Sequence, residues 1–286
     1  MKQPYAEVIG DPIAHSKSPL IHGFWIEKLG IEAHYDRCHV VPDALADYFE
    51  RCKQDVDWRG CNVTIPHKQA VMSLLDRIDP HAQAIGAVNT VVRSWDGGLI
   101  GYNSDGAGFL EPLRPLLAQH HLFRMARVIG SGGAARAIVH ALADEGFTIA
   151  MIARDQAKAF EILREIDPQA SESMIASLAS WAEPTAFEWD DRSGVLDLVV
   201  NTTSLGMRGQ PPLAIDFSHV PPGALVYDVV YAPLETPLLA AAREHGLRTF
   251  DGLEMLVGQA AVAFERFFGL PAPRDFDPEL RGLLTA

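Results

Sequence analysis

A glycine-rich turn between a strand and a helix is the first place where this sequence can do chemistry. Arg127-Val128-Ile129 runs straight into Gly130-Ser131-Gly132-Gly133-Ala134-Ala135, a Gly-x-Gly-x-x-Ala pattern with a helix opening behind it. Glycines there let the backbone approach a pyrophosphate, which then meets the amides at a positive helix end. The end of the following strand sets the choice of dinucleotide, because an acid binds a ribose 2′-hydroxyl and an arginine accommodates a 2′-phosphate. The chain there is Ile152-Ala153-Arg154-Asp155-Gln156-Ala157-Lys158. Arg154 and Lys158 favour NADP, the planar guanidinium being the more specific feature. Asp155 favours NAD unless it caps the helix that follows, a common use of aspartate in that position.

Other polar groups gather in the first third of the chain. Ser16 and Ser18 lie in His15-Ser16-Lys17-Ser18-Pro19, where two hydroxyls before a helix can bind a carboxylate. Plain capping by Ser18 ahead of Pro19 is the competing reading. In Asn62-Val63-Thr64-Ile65-Pro66-His67-Lys68, strand alternation puts Asn62 and Thr64 on one face, with Lys68 opening a helix. The helix dipole disfavours an ammonium at that end, which points to a functional use. Ala87-Val88-Asn89-Thr90 and Asn103-Ser104-Asp105-Gly106 complete the group.

The elements that position these residues alternate between apolar runs of strand length and helix-period segments, the pattern of an α/β protein built on mostly parallel sheets. In the first third, strands are expected at Glu7–Gly10, His34–Val40, Gly60–Thr64 and Ala87–Arg93, the last turning at Asp96-Gly97-Gly98 into Leu99–Tyr102. Helices fit at Leu20–Leu29, Ala44–Lys53 and Lys68–Leu75, and a longer one at Gly106–His120. A second βα series follows: strand Arg127–Gly130, helix Ala134–Glu145, strand Thr148–Ala153, helix Gln156–Ile166, strands Leu196–Asn201 and Ala224–Val230, and helix Pro237–His245. The last helix, Leu253–Phe268, carries Leu256, Ala260, Ala263 and Phe267 on one face, which is expected to return to the first domain.

The 286 residues suit two domains, and 48% apolar with 21% charged residues is an ordinary globular balance. A net charge of −13 disfavours nucleic acid and anionic membrane surfaces. The opening Met1-Lys2-Gln3-Pro4-Tyr5 runs directly into Ala6-Glu7-Val8-Ile9-Gly10 without an apolar leader, so a cytoplasmic location is expected, with no membrane partner. The 3 cysteines have no Cys-x-x-Cys spacing and the 11 histidines no metal-ligand spacing, so reduced thiols and no metal are expected.

With Ser-x-Ser-Pro, Asn-Val-Thr-x-Pro-x-Lys, Gly-Ala-x-Asn-Thr and Asn-Ser-Asp-Gly in this order, the chain resembles the shikimate dehydrogenase family. Later segments extend the resemblance over nearly the whole chain: Asn201-Thr202-Thr203-Ser204-Leu205-Gly206-Met207, Tyr227-Asp228-Val229-Val230-Tyr231-Ala232-Pro233 with Thr236-Pro237-Leu238, and Gly252-Leu253-Glu254-Met255-Leu256-Val257-Gly258-Gln259-Ala260. Ser104 stands where the family usually has Thr, and Ser131 where it has Ala. Ala153-Arg154-Asp155 replaces a frequent Asn-Arg-Thr, removing two contacts to a 2′-phosphate.

The resemblance implies a substrate-binding and catalytic domain over 1–105, completed by 252–286, and a Rossmann NADP-binding domain over 106–251. It implies reversible NADPH-dependent reduction of 3-dehydroshikimate to shikimate, a step in aromatic amino-acid (chorismate) biosynthesis. Lys68 becomes the proton donor and Asp105 its partner, within about 4–6 Å so that the charged ammonium is favoured. Ser16 and Ser18 would hold the substrate carboxylate, and Asn62, Thr64, Asn89, Asp105 and Gln259 the ring oxygens, with Tyr231 packing on substrate or nicotinamide. The cofactor would touch Gly130, Ser131, Gly132, Gly133 and Ala134, then Ala153, Arg154, Asp155 and Lys158. Beyond these it would meet Thr203, Ser204, Met207, Val229, Gly252 and Met255. A small-molecule substrate and a monomer or homodimer are expected. An NAD-using quinate/shikimate dehydrogenase shares every catalytic residue, and a non-catalytic nucleotide sensor shares the fold.

Overall fold

A computed structural model describes residues 3–187, 189 and 194–286. The chain forms two compact units, one made of Met1–Gly108 with Val257–Ala286 and the other of Phe109–Leu256.

In the first unit a six-stranded sheet is built from β1 (Tyr5–Gly10), β2 (His34–His39), β3 (Trp58–Val63), β4 (Arg77–Ile78), β5 (Thr90–Arg93) and β6 (Leu99–Tyr102), in the order β2-β1-β3-β5-β6-β4. Pairings β1/β2, β1/β3 and β4/β6 are parallel, and β3/β5 and β5/β6 antiparallel. The expected turn at Asp96-Gly97-Gly98 does join β5 to β6 as a hairpin. Helices α1 (Ser18–Leu29), α2 (Leu45–Gln54), α3 (Pro80–Ile85) and α4 (Asp105–Leu110) accompany these strands. Leu45, Tyr48, Phe49 and Cys52 of α2 pack with Ile9, Cys61 and Val63 on one face. On the other, His22 and Trp25 of α1 meet Phe264 and Phe267 of the long helix Gly252–Phe268, which joins this unit from Val257 onward.

The second unit contains α5 (Arg114–Leu117), β7 (Phe123–Ile129), α6 (Gly133–Asp144), β8 (Thr148–Ala153), α7 (Gln156–Ile166), β9 (Ile175–Ser177) and α8 (Leu178–Trp181). It continues with β10 (Val195–Asn201), β11 (Leu225–Asp228), α9 (Pro237–Glu244), β12 (Arg248–Phe250) and the start of α10 (Gly252–Phe268). Its sheet, β12-β11-β10-β7-β8-β9, is parallel throughout. Strands buried on both faces need near-continuous apolar runs. Leu198-Val199-Val200 and Ala126-Arg127-Val128-Ile129 supply them, with Arg127 tied to Asp197 at 2.6 Å. Ile138 and Leu142 of α6 and Ile162 of α7 cover one face, while Leu238 and Leu239 of α9 cover the other.

Two expected helices form differently. Residues 106–120 do not make one helix: Pro112 and Pro115 lack an amide and clash with the preceding turn, and a 3-10 segment (Glu111–Leu113) separates α4 from α5. Nor does Lys68 open a helix, because the backbone after β3 turns and only Ala70–Leu74 coils, as a 3-10 segment. The Lys68 carbonyl accepts from Val88 N (2.7 Å) and cannot start an α-helical ladder. The final helix, α11 (Asp277–Thr285), lies along α1, with Lys28 Nζ 2.7 Å from Glu279 and Lys17 Nζ donating to the Leu284 carbonyl at 2.5 Å. No described helix is long and apolar enough to cross a membrane. The cysteines are free, and burial raises the thiol pKa of Cys38 to about 11 and of Cys52 to about 12, which keeps them protonated.

Candidate active site

In the first unit the polar residues converge on one end of the sheet. Parallel β1 and β3 finish there, antiparallel β5 begins there with Thr90 opposite Asn62, and β6 ends there with Tyr102 opposite Thr90. Lys68, in the turn after β3, reaches Asp105 at the start of α4, Nζ to Oδ2 2.5 Å. Asp105 is 4% exposed, and its other oxygen accepts from Asn89 Nδ2 at 2.8 Å. A carboxylate so placed holds an ammonium in a fixed direction, with its protons presented at that end of the sheet.

Asn89 has little freedom left. Its second amide hydrogen goes to Ser104 Oγ (3.0 Å), and its oxygen accepts from Ser104 N and Thr90 Oγ1, each at 2.9 Å. The carboxamide is therefore oriented unambiguously, and it orients Asp105 in turn. Asn103 folds its own side chain back, Oδ1 accepting from Asp105 N at 3.0 Å, and so supports the opening of α4. Asn62, also buried, accepts from Tyr35 Oη at 2.6 Å and lies 3.4 Å from Thr90 Oγ1. Burial pushes the Tyr35 hydroxyl pKa well above its ordinary value, with Asn62 and Ser18 moderating it. A continuous buried chain thus runs Tyr35, Asn62, Thr90, Asn89, Asp105, Lys68. Tyr35, Thr90 and Ser104 were not singled out by sequence; only Thr90 and Ser104 lay inside a motif. His67 Nε2 donates to the Val40 carbonyl (2.6 Å) and anchors the turn that carries Lys68.

The two serines form a separate pair beside this chain. Ser16 Oγ donates to Ser18 Oγ (3.2 Å) and accepts from Ser18 N (3.3 Å). Ser18 is the first residue of α1, and no side chain caps that helix, so the simple capping reading falls away. Arg37 holds the loop through the Ser16 carbonyl, Nε at 2.9 Å. Thr64 is half-buried at the end of β3, and its hydroxyl makes no hydrogen bond among the described residues. Gln259 is buried on α10, within the first unit.

The second unit carries the glycine turn at the end of β7. Gly130 has φ +120°, and a Cβ there would lie 2.5 Å from Thr202 Oγ1, so only glycine fits. Around Gly132 a Cβ would meet nothing within 4 Å. That residue begins α6 without a side-chain cap, and no acid occupies the first turn. Open space over uncapped helix amides at Gly133 and Ala134 fits a pyrophosphate. Ser131 lies half-buried in the same turn. At the end of β8, Arg154 is exposed and pairs with no carboxylate among the described residues, and Lys158 stands one turn into α7. Asp155 is the cap of α7, its Oδ1 accepting from Lys158 N at 3.0 Å, which turns its charge toward the helix. That disposition fits a 2′-phosphate on the guanidinium.

Among the remaining candidates, Ser204 and Met207 are exposed on the loop after β10, so Met207 is not a core residue. Thr203 caps its own loop through Asn201, and Val229 follows β11 half-buried against the core. Tyr231 is half-buried two residues further on. Gly252 lets α10 start against the Val229 backbone, where a Cβ would come within 2.4 Å of the carbonyl oxygen. Ala153 and Met255 have their side chains packed into the core of the second unit.

Residues 8–91 match the shikimate dehydrogenase substrate binding domain, and residues 252–276 the shikimate 5′-dehydrogenase C-terminal domain. The shikimate dehydrogenase (NADP(+)) of Sphingopyxis alaskensis is 50% identical over 284 residues, covering 99% of this chain and 97% of that one. The shikimate 5-dehydrogenase of Thermus thermophilus, solved with NADP(H) and shikimate, superposes with a TM-score of 0.81 at 31% identity, covering 99% of this chain and 100% of the other. Quinate dehydrogenase from Corynebacterium glutamicum in complex with NAD gives 0.80 at 29% identity, covering 98% and 99%. On the strength of the near-full-length identity, the chain belongs to the shikimate dehydrogenase family.

Proposed function

We propose that this protein is an NADP-dependent shikimate dehydrogenase, an oxidoreductase that reversibly reduces the C3 ketone of 3-dehydroshikimate to shikimate in the route to chorismate and the aromatic amino acids. The observation that carries the reading is the Lys68–Asp105 pair, 2.5 Å apart at a sheet end lined by amides and hydroxyls. When bound, the nicotinamide supplies hydride chemistry; the protein supplies orientation and a proton. Lys68 Nζ delivers a proton to the oxygen of the ketone as negative charge develops there, and Asp105 holds the ammonium in line. In the reverse direction the same nitrogen receives the proton from the hydroxyl.

Ser16 and Ser18 are assigned to the substrate carboxylate. Asn62, Thr64, Asn89, Asp105 and Gln259 are assigned to ring oxygens, and Tyr231 to packing on substrate or nicotinamide. Residues 1–105 with 252–286 act as the substrate-binding and catalytic part, and 106–251 as the NADP-binding part. Gly130 to Ala134 take the pyrophosphate, Arg154 and Lys158 the 2′-phosphate, and Thr203, Ser204, Met207, Val229 and Gly252 the nicotinamide side. The capping of α7 by Asp155 supports NADP over NAD, because the carboxylate is engaged with an amide of the helix. We place the enzyme in the cytoplasm, as a monomer or homodimer. The intact dyad speaks for catalysis and against a nucleotide sensor.

The test is absorbance at the nicotinamide wavelength, with shikimate or quinate each offered NADP or NAD, beside Lys68→Ala. Shikimate-driven NADP reduction, abolished by the substitution, is the expected result. Preference for quinate and NAD would transfer the protein to the quinate branch of the family, and no reduction with any pair would leave the sensor.

A further inference from the structure

The order of strands in the parallel sheet divides a dinucleotide between its two halves. The sheet reverses its winding at β7, so the adenosine half belongs over β7 and β8 and the nicotinamide half over β10 and β11. Asn201 and Asp228 are the last residues of β10 and β11 and are paired in register. Both are completely buried.

Asp228 Oδ1 accepts from Asn201 Nδ2 (2.9 Å) and from Val230 N (3.0 Å), and Oδ2 accepts from Thr236 Oγ1 (2.6 Å). Asn201 continues the network, donating to the Leu205 carbonyl (3.1 Å) and accepting from Thr203 N (3.0 Å) and Oγ1 (2.8 Å). Every donor to Asp228 is neutral. A buried carboxylate without a cation is costly, and an apolar residue would fill the same volume at less expense. What the carboxylate adds is a rigid link between the backbone segments on either side of it, 201–207 and 228–236.

We infer that Asp228 is a positioning residue for the nicotinamide half of the cofactor, acting by locking the loop after β10 to the loop after β11. The inference rests on the NADP reading above. Burial raises the carboxyl pKa to about 6, in keeping with a site that receives hydrogen bonds and no counter-charge.

Dissociation constants for NADPH and for adenosine 2′,5′-bisphosphate separate this role from general support of the fold, since the bisphosphate reaches only the adenosine half. Asp228→Ala is expected to weaken NADPH binding by about tenfold and to change bisphosphate binding by less than about twofold. Asp228→Asn should recover most of the NADPH affinity, because its oxygen still accepts from Asn201 and Val230 while its amide can donate to the Thr236 hydroxyl. Thr236→Val removes one donor and carries the test if Asp228→Ala does not fold; about threefold weakening of NADPH alone is expected. Equal loss of both ligands, or NADPH affinity unchanged in Asp228→Ala and Thr236→Val, would overturn the inference. An unmodified protein that binds neither ligand would overturn the NADP reading and this inference with it. One that binds both, with variants losing both equally, would overturn this inference alone.

Discussion

Asp105 opens the helix that follows β6 and Asp228 ends β11, both out of water, yet their surroundings differ in one decisive respect. Asp105 faces the Lys68 ammonium at 2.5 Å and the Asn89 amide, so its carboxylate has a cation beside it. Asp228 faces an amide, a hydroxyl and a backbone N–H, and no cation among the described residues, so only those hydrogen bonds offset the burial that raises its pKa. The same side chain holds an ammonium in one unit and ties two loops together in the other. Its neighbours decide which.

The largest effect should come from cutting the Lys68–Asp105 pair. Lys68→Met is expected to lower kcat for shikimate oxidation by about 10²- to 10⁴-fold, with the dissociation constant for NADPH little changed. A comparable fall in cofactor affinity would erase the contrast between the units.

Proton linkage should come next, with opposite signs in the two units. The carboxyl of Asp228 has its pKa raised from 3.8 to about 6, so between these values the native state holds a proton that the unfolded chain has released. Its burial therefore costs nothing at low pH and becomes a full penalty above about pH 6. Relative to Asp228→Asn, the unmodified protein should lose up to about 3 kcal/mol between pH 4 and pH 7 in denaturant unfolding. His22 does the reverse. It is fully buried, stacked 4.0 Å from Tyr35, without a hydrogen-bond partner for either ring nitrogen among the described residues, and burial lowers its pKa to about 3. Its contribution is complete above pH 6.5 and is lost as the pH falls toward 3. His22→Phe should therefore spare about 2 kcal/mol of the loss between pH 6.5 and pH 5. Parallel pH curves for each variant and the unmodified protein would contradict both assignments.

The smallest effect concerns Asp155, whose carboxylate caps α7. Asp155→Ala should cost about 1 kcal/mol of stability and leave NADP preferred over NAD. If instead any turnover with NAD were lost while NADP kinetics stayed intact, the carboxylate would be serving a ribose hydroxyl.

Much of the first site was legible because its residues lie in short motifs at strand ends. Lys68, Asn89 and Asp105 were all named from sequence, and the structure brings them together. The helix expected at Lys68 was not there, since the carbonyl that would start it bonds to Val88 from a distant part of the chain, a contact without any local signature. Pro112 and Pro115 did carry a signal against a continuous helix at 106–120, and the apolar periodicity concealed it. Strands of two or three residues, such as β4, β9 and β12, are too short to show alternation. Tyr35 was invisible for a further reason: its hydroxyl meets Asn62 across 27 residues of sequence, and a tyrosine in an edge strand is otherwise unremarked. Asp228 and Thr236 sat inside quoted segments, but which of several polar residues in a motif points inward is settled only by packing.

The first unit draws on both ends of the chain, and Lys17, beside the two serines, is held by a carbonyl 267 positions later. A ribosome makes the protein in one direction. The second unit is a single continuous segment and can close while synthesis proceeds, whereas the sheet that bears Lys68 must wait, its α1 face uncovered, until everything through α11 has emerged. Truncated products will therefore tend to contain a finished second unit and an unfinished first one.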